Sequence, residues 1–491
     1  MTDQMTIRPV RPAGRYQLDS ECCRLTAAER TARGKAARAA VPRESHAVFD
    51  PPSDRPDPIS LLEQQGKSRV PELVPVRYGR MMVSPFTYYR GAALPMASDL
   101  ATTPVTGLAV QACGDAHLSN FGVFGSPERQ LVFDCNDFDE TLPGPWEWDV
   151  KRLAASIVVA ARQLGFSKTA RAEAILGLGQ RYRQAMRTMA GQSNLDVWYS
   201  QVDVQPVVDA LQRQAAATGS KSDVHMAEQA TKTTEKALTK DSTKALDKLT
   251  RVVDGRREII SDPPLVVPVQ ELFPEVEAER QTSMFHAVLR KYRQSLPTDR
   301  RHLLERYQFS QLARKVVGVG SVGTRCWIVL LHGPRQDDVL FLQAKEAEAS
   351  VLERFTKKSQ YANHGARVVA GQRLMQASSD IMLGWQRNEG IDGQSHDYYI
   401  RQLQDWKGSI NTDEAIPKGM KTYGELCAHT LARAHARSGD RIAIAAYLGN
   451  SNTFEKALTR FAETYADQNE RDHEAFVKAC KSGRLHAEEG I

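Results

Sequence analysis

The sequence predicts an α+β fold of two lobes in unusual order: a mostly helical lobe with a polar loop at Asp115–Asn120 first, a strand-rich lobe with a glycine loop second. Three observations lead there. The stretch "ACGDAHLSNFG" (residues 112–122) lies among short strand-like pieces, "VTGLAVQACGD", "FGVF" and "RQLVFDCND". "RKVVGVGSVGTRCWIVLLHG" sets β-branched runs on both sides of Gly318, Gly320 and Gly323. Between these regions, residues 165–310 are mainly helical in pattern.

Bulk properties are those of an ordinary globular chain. Its 491 residues are 41% hydrophobic and 25% charged, long enough for two or three compact units. The net charge of +6, from 65 basic and 59 acidic residues, is mild at this length and makes no case for a nucleic-acid partner. The seven cysteines (Cys22, Cys23, Cys113, Cys135, Cys326, Cys427, Cys480) include no CxxC pair, which points to reduced thiols. The N-terminus lacks the apolar core of a signal peptide. No apolar run approaches the roughly 18 residues of a membrane span, so the expectation is a cytoplasmic protein without a membrane partner.

The Pro-rich "FDPPSDRPDP" ends a segment rich in Arg and Ala, so residues 1–58 are expected to be a loosely attached arm, with a short helix within "LTAAERTARGKAARAA". Residues 59–310 form the first lobe and its helical insertion, 311–410 the strand-rich lobe, and 411–491 C-terminal helices that complete the first lobe. A helix is expected from Asp149, with Val150, Leu153, Ala154, Ile157 and Ala161 on one face. "MAEQATKTTEKALTKDSTKALDKLTRVVDG" mixes charge signs and reads as a solvated helical hairpin. "TYGELCAHTLARAHARSGD" is a helix with Tyr423, Leu426, Cys427, Leu431 and Ala434 facing one way.

An Asp followed after four residues by an Asn is the spacing of a phosphoryl-transfer catalytic loop. The glycine pattern excludes two other nucleotide sites. A Rossmann turn needs a helix directly after the glycines, and here strand-like "TRCWIVLL" follows; a P-loop needs a terminal GK[ST]. A glycine loop between two strands instead fits the arrangement whose backbone amides lie over ATP phosphates, which calls for a lysine on the next strand. Lys345, in "LFLQAKEA", is 22 residues past Gly323. Gly318, Gly320, Ser321, Gly323 and Lys345 are therefore the nucleotide candidates. Glu353 is the candidate acid partner of Lys345, with Glu346 and Glu348 as rivals. The catalytic loop precedes the glycine loop, so the expected fold is kinase-like and circularly permuted, which requires Asp440 to approach the start of the "VTGLAVQACGD" strand.

"SPFTYYRGAA", "GDAHLSNFG", "FDCNDFDETLPGPWEWDVKRLA", "KVVGVGSVGT" and "YYIRQLQDWKGS" together resemble a bacterial family defined as a domain of unknown function (number 2252), over most of residues 60–475. More remotely the chain resembles the aminoglycoside and choline phosphotransferase branch of the kinase-like superfamily, whose loop reads H-G-D-x-H-x-x-N. That resemblance implies ATP and Mg²⁺ as cofactors. It makes Asp115 the catalytic base, His117 a loop-bracing or acceptor-side residue, and Asn120 a metal ligand. Of the downstream acids it favours Asp137 as the metal carboxylate, twelve residues before Asp149, which becomes a structural anchor. Asp134 and Asp139 remain candidates for an outer shell or a second metal. Cys113 replaces the usual His, which removes a bracing hydrogen bond, and Asp139 stands where many protein kinases have glycine.

Bland readings accompany each of these. "FDCNDFDE" alone is an acidic solvated loop; beside Asp115, Asn120 and Lys345 it reads as a metal site. Phe86, Tyr88 and Tyr89 read as core, Arg90 as either a substrate contact or a structural ion pair, and His429 and His435, six apart, as packing. The expected function is an ATP- and Mg²⁺-dependent phosphotransferase acting on a hydroxyl acceptor, a small molecule before a protein. The alternatives are a nucleotide-binding pseudokinase, a nucleotidyl transferase of the same fold, and a metal-dependent phosphohydrolase built on Asp115 and His117.

Overall fold

A computed structural model describes residues 24–491 except 241, 254–255, 276–277, 336, 391–392 and 404–405. It is a mixed α+β structure with twelve strands among the described residues: β1 (Ala109–Ala112), β2 (Phe121–Gly125), β3 (Leu131–Cys135), β4 (Leu142–Pro145), β5 (Thr250–Val253), β6 (Arg256–Ile259), β7 (Val266–Pro268), β8 (Gln308–Lys315), β9 (Cys326–His332), β10 (Val339–Glu346), β11 (Gly384–Glu389) and β12 (Ser395–Gln402). Six of them make one antiparallel sheet in the order β11-β12-β10-β9-β8-β7. The pairs β1–β4, β2–β3 and β5–β6 stand apart from it.

Alternation along β9 and β10 explains why this sheet reads as continuous apolar runs. Val329, Leu331, Leu340, Leu342 and Ala344 face one core, with Tyr292, Leu296 and Leu304 from the helices Ala278–Gln294 and Thr298–Leu304. Ile328, Leu330, Val339 and Phe341 face another, with Leu246 and Leu249 of the helix Ser242–Leu249. Both faces are therefore covered, and period-two side chains on each must be apolar. Toward one end the second face turns polar. Gln343 and Lys345 stand opposite Arg401 and Tyr399 of β12, and this stripe borders the cavity described below.

The helical lobe is built on Trp146–Gln163, whose residues Trp146 to Ala161 are all buried. In a helix buried all round, polar side chains need partners within the fold. Glu147 accepts the Thr106 amide at 2.6 Å, the Lys151 ammonium donates to Thr103 Oγ1 at 2.8 Å, and Ser156 Oγ accepts the Leu118 amide at 3.1 Å. The expected face of Val150, Leu153, Ala154, Ile157 and Ala161 is in the core. The helix starts three residues before Asp149, because Pro145 ends β4 directly at its N-terminus. No described helix is long and apolar enough to cross a membrane.

Several boundaries differ from expectation. Residues 24–58 are not a loose arm. The helix Ala27–Ala40 opens with a capping box at Thr26 and Glu29, and Gly34 is so close to the Ala443 carbonyl that a Cβ would sit 2.1 Å from it. Arg38 and Arg43 donate to the carbonyls of Tyr447 and Leu448, and Phe49 packs on Phe461 and Tyr465. Residues 1–23 lie outside the described residues. The strand lobe begins well before 311, since β7 and two helices under the sheet come from 266–304. The polar stretch from Met226 is two helices, Lys221–Leu238 and Ser242–Leu249, whose continuation "TRVV" becomes β5. Leu246 and Leu249 are buried, so that second helix is not a solvated one.

Candidate active site

Asp149, in the first turn of the Trp146–Gln163 helix, fixes the loop after β1. Its carboxylate accepts the amides of Cys113 at 2.6 Å and Gly114 at 2.9 Å. His435 Nε2 lies 3.1 Å away, and the other nitrogen of that ring meets Tyr182 Oη at 2.7 Å. Gly114 adopts φ +82°, and a Cβ there would sit 2.3 Å from the Glu140 carbonyl, so only glycine serves. The Asp115 carbonyl then accepts from the His117 amide at 2.8 Å and from Asn120 Nδ2 at 2.7 Å. The Cys113 thiol lies 3.3 Å from the Asp137 carbonyl. The bracing contact expected to vanish with the usual His is thus kept, in weaker form, by sulfur.

The Asp115 carboxylate is engaged on one side only. Arg152 Nε donates to Oδ1 at 2.5 Å, while Oδ2 faces His117 Nε2 at 3.7 Å. Arg152 is itself buried, donates to the Tyr89 carbonyl at 2.9 Å and lies 4.3 Å over the Tyr89 ring. Burial, with the charges of Arg152 and Arg90, holds the His117 imidazole well below its ordinary pKa, so the ring is neutral.

Asn120 and Asp137 are brought together by the β2–β3 hairpin, which starts beside one and ends beside the other; the Asn136 amide donates to the Asn120 carbonyl at 3.0 Å. Among the described residues Asp137 accepts only the Asp139 amide, at 3.3 Å, and its Oδ1 lies 4.0 Å from the Lys345 ammonium. Burial and the neighbouring Asp139 raise its pKa, a strain that a bound cation relieves. With the Asn120 amide oxygen on the same cavity, this donor set fits Mg²⁺, which takes oxygen ligands and retains several waters. Asp134 does not join them. Its carboxylate is buried against Arg433 of the helix Pro417–Ser438, accepts the amides of Cys135 at 2.8 Å and Ala377 at 3.1 Å, and does not line the cavity that holds Asp137.

The strand lobe supplies the opposite wall. Gly318 and Gly323 have φ of +67° and +89°, and a Cβ on Gly320 would sit 2.9 Å from the Arg90 carbonyl, so each glycine answers a backbone need. The loop is held from the helical lobe: the Val70 amide donates to the Gly323 carbonyl at 2.8 Å, Arg80 to that of Gly318 at 2.6 Å, and Arg69 to that of Val322. The amides of Gly318, Gly320, Ser321 and Gly323 donate to nothing among the described residues. Ser321 Oγ reaches Asp139 Oδ2 at 3.3 Å.

Lys345 is buried and pairs with Asp139, which also accepts from Tyr399 Oη at 2.7 Å. Burial opposes both charges, yet the pairing outweighs it, holding the Asp139 carboxyl below and the Lys345 ammonium above their ordinary ranges. None of the three glutamates proposed for Lys345 pairs with it. Glu346 binds Arg325 and His396. Glu353 lies in the short 3₁₀ turn Val351–Arg354 and keeps a buried Oε1 without partner. The helix His364–Met375 carries no acid; its Arg367 donates to the carbonyls of Asp139, Thr141 and Glu348.

Asp115, His117, Asn120, Asp137, Asp139, Gly318, Gly320, Ser321, Glu346 and Glu353 line one cavity of about 850 Å³, together with Arg69, Arg77, Arg90, Glu140 and Glu348, whereas Asp134, Gly323 and Lys345 do not. Arg152, Arg367, Tyr399, Arg69 and Arg77 were not singled out from sequence. Tyr399 lies within "YYIRQLQDWKGS" and Arg152 within "PWEWDVKRLA", but a buried arginine and a core tyrosine look like surface and packing residues until the partner is known.

Neither the search of curated proteins nor that of solved structures returned a match. A family model does match, over residues 69–479, and it spans both walls of the cavity. The chain therefore belongs to the family DUF2252, described as an uncharacterized protein conserved in bacteria.

Proposed function

We propose that the chain is an ATP- and Mg²⁺-dependent phosphotransferase that phosphorylates a hydroxyl group, in a kinase-like fold whose two lobes are permuted in sequence. One observation carries the reading. Asp115, Asn120 and Asp137 from one lobe share a single cavity with the Gly318–Ser321 loop from the other, and the Lys345–Asp139 pair spans the join. Two further features support it. Counting from the strand before the glycine loop, Lys345 is on the third strand, as in kinases. The helix Pro417–Ser438 ends at β1, where Ser438 Oγ accepts the Gln111 amide at 3.1 Å, which is the junction a permutation requires.

In this reading the free loop amides take the nucleotide's phosphates, and Lys345 reaches them by exchanging its Asp139 contact when nucleotide binds. Mg²⁺, held by Asp137 and Asn120, supplies charge neutralisation and a template for the phosphate chain. The acceptor oxygen forms its bond to the γ-phosphorus as the bond to the β–γ bridging oxygen breaks and ADP leaves. The acceptor's proton passes to Asp115 Oδ2, the oxygen not held by Arg152. In a loose transition state, orienting the hydroxyl matters more than removing its proton early.

A thermal melt with ATP and Mg²⁺, repeated on Asp137→Asn, tests the proposal. Nucleotide at about 100 times its dissociation constant adds roughly 2.7 kcal/mol of stability. A shift that requires Mg²⁺ and fades in the variant supports it. No shift with any nucleotide, with or without metal, rejects it.

A further inference from the structure

Three arginines on the cavity have no part in the nucleotide and metal roles described above. Arg77, 1% exposed, donates to the Gly91 carbonyl at 2.8 Å and to Gln65 at 3.5 Å, while its Nε and Nη1 are buried without partner. Arg69, 9% exposed, donates to the Val322 carbonyl and keeps a buried Nε without partner. Arg90 makes no hydrogen bond or ion pair among the described residues, and its buried Nε is likewise unmatched. All three line the cavity, and none forms an ion pair with a carboxylate among the described residues. Asp115, Asp413 and Asp137 are the acids that stabilise the Arg90 charge from a distance, as Glu348, Glu140 and Asp139 do for Arg69.

A buried guanidinium normally has a counter-ion, because leaving it unpaired costs several kcal/mol. Among the other arginines, Arg152 has Asp115, Arg433 has Asp134 and Arg55 has Asp99 and Asp472, while Arg367 donates to three carbonyls instead. Burial and the neighbouring Arg69 push the Arg77 pKa down to about 9, so these two charges repel each other. The three side chains come from residues 69–90, the segment that clamps the glycine loop, and the Arg90 carbonyl backs onto Gly320 at the loop's centre. All three share that cavity with the loop tip and Asp115.

Resting on the phosphotransferase reading, we propose that Arg69, Arg77 and Arg90 form an oxyanion subsite that binds a phosphate group already carried by the acceptor, making the substrate a phosphorylated hydroxyl compound. Guanidinium forks match phosphate oxygens in pairs, and three positive charges suit a dianion better than a single carboxylate.

The test is calorimetric titration of the full chain with inorganic phosphate, alone and with a saturating non-hydrolysable ATP analogue and Mg²⁺. The expected result is phosphate binding that persists beside the analogue. It should weaken at least tenfold in Arg77→Gln and in Arg90→Gln, with analogue affinity within about twofold of the parent. Circular dichroism checks folding, and Arg90→Gln carries the test if Arg77→Gln does not fold. Phosphate binding that the analogue abolishes, with both variants losing the analogue, overturns the proposal by giving the arginines to the nucleotide. No phosphate binding, or binding unchanged in Arg90→Gln, also overturns it. Arginine-dependent phosphate binding in a chain that binds no nucleotide would instead reject the phosphotransferase reading and retain the anion site.

Discussion

The ammonium of Lys345, next to last in β10, and the carboxylate of Asp139, in the loop after β3, form an ion pair that ties the strand lobe to the helical lobe. Lys345 is 4% exposed and Asp139 26%. Asp139→Asn leaves the ammonium with only Asp137 at 4.0 Å. Removing one member of a buried pair costs 3–5 kcal/mol, and the partial exposure of Asp139 reduces this to about 2–3 kcal/mol of unfolding free energy in a denaturant titration. Tyr399→Phe, which removes one hydrogen bond to the same carboxylate, should cost about 1 kcal/mol.

Asp115→Asn keeps the size of the side chain and a contact to Arg152 while removing the proton acceptor. The rate of phosphoryl transfer should fall by about 10²–10⁴, with KM for ATP within a few-fold of the parent. Single-turnover kinetics on an acceptor that supports turnover measure this. An unchanged rate would remove Asp115 from the chemistry.

Asp134 and Asp137 are three residues apart and separate cleanly by experiment. Asp134→Asn leaves Arg433 buried without its counter-ion and should cost about 3 kcal/mol or more. The Mg²⁺-dependent gain from ATP should be the same size as in the parent. Asp137→Asn should do the reverse, losing the gain with little change in baseline stability.

Burial raises the Glu140 carboxyl to about 7. A carboxyl raised on folding contributes stability that is fully present below its unfolded value near 4.5 and is lost as pH rises through the folded value. Stability of the parent should therefore decline between about pH 4.5 and 7, by about 2 kcal/mol from this group once its partial exposure is allowed for. Glu140→Gln should flatten that slope in parallel denaturant titrations at pH 5 and pH 7.5.

What was legible in the sequence is what lies close together along the chain. Asp115, His117 and Asn120 share one loop, and Gly318, Gly320 and Ser321 another, so spacing alone placed them on one cavity wall each. What failed depended on contacts across hundreds of residues. The partner of Lys345 comes from 206 positions earlier in the chain, and helical propensity offers no way to prefer it over the nearby Glu353. The spacing to Asp149 favoured Asp137 but left Asp134 beside it as a candidate; its pairing with Arg433, 299 positions away, takes Asp134 out of the site. The Arg-Ala helix Ala27–Ala40 looked detachable because its buried contacts are backbone carbonyls and small side chains of residues 443–448, which leave no apolar stripe to read. β11 went unnoticed because "GWQRNE" pairs with β12 on one side only and is largely polar.

The helix Pro417–Ser438 gives the first lobe its floor: Tyr423 for the Leu118 carbonyl, Arg433 for Asp134 and His435 for Asp149. A ribosome makes Asn120 about 300 residues before that helix, an interval of about 15–60 s at 5–20 residues per second. During it the Asp134 and Asp149 carboxylates have no cationic or imidazole partner and cannot leave water. The Asp115–Asn120 loop is thus among the first parts translated and among the last able to fold, and a nascent chain stalled before residue 417 leaves the Trp146–Gln163 helix without the cover of Pro417–Ser438.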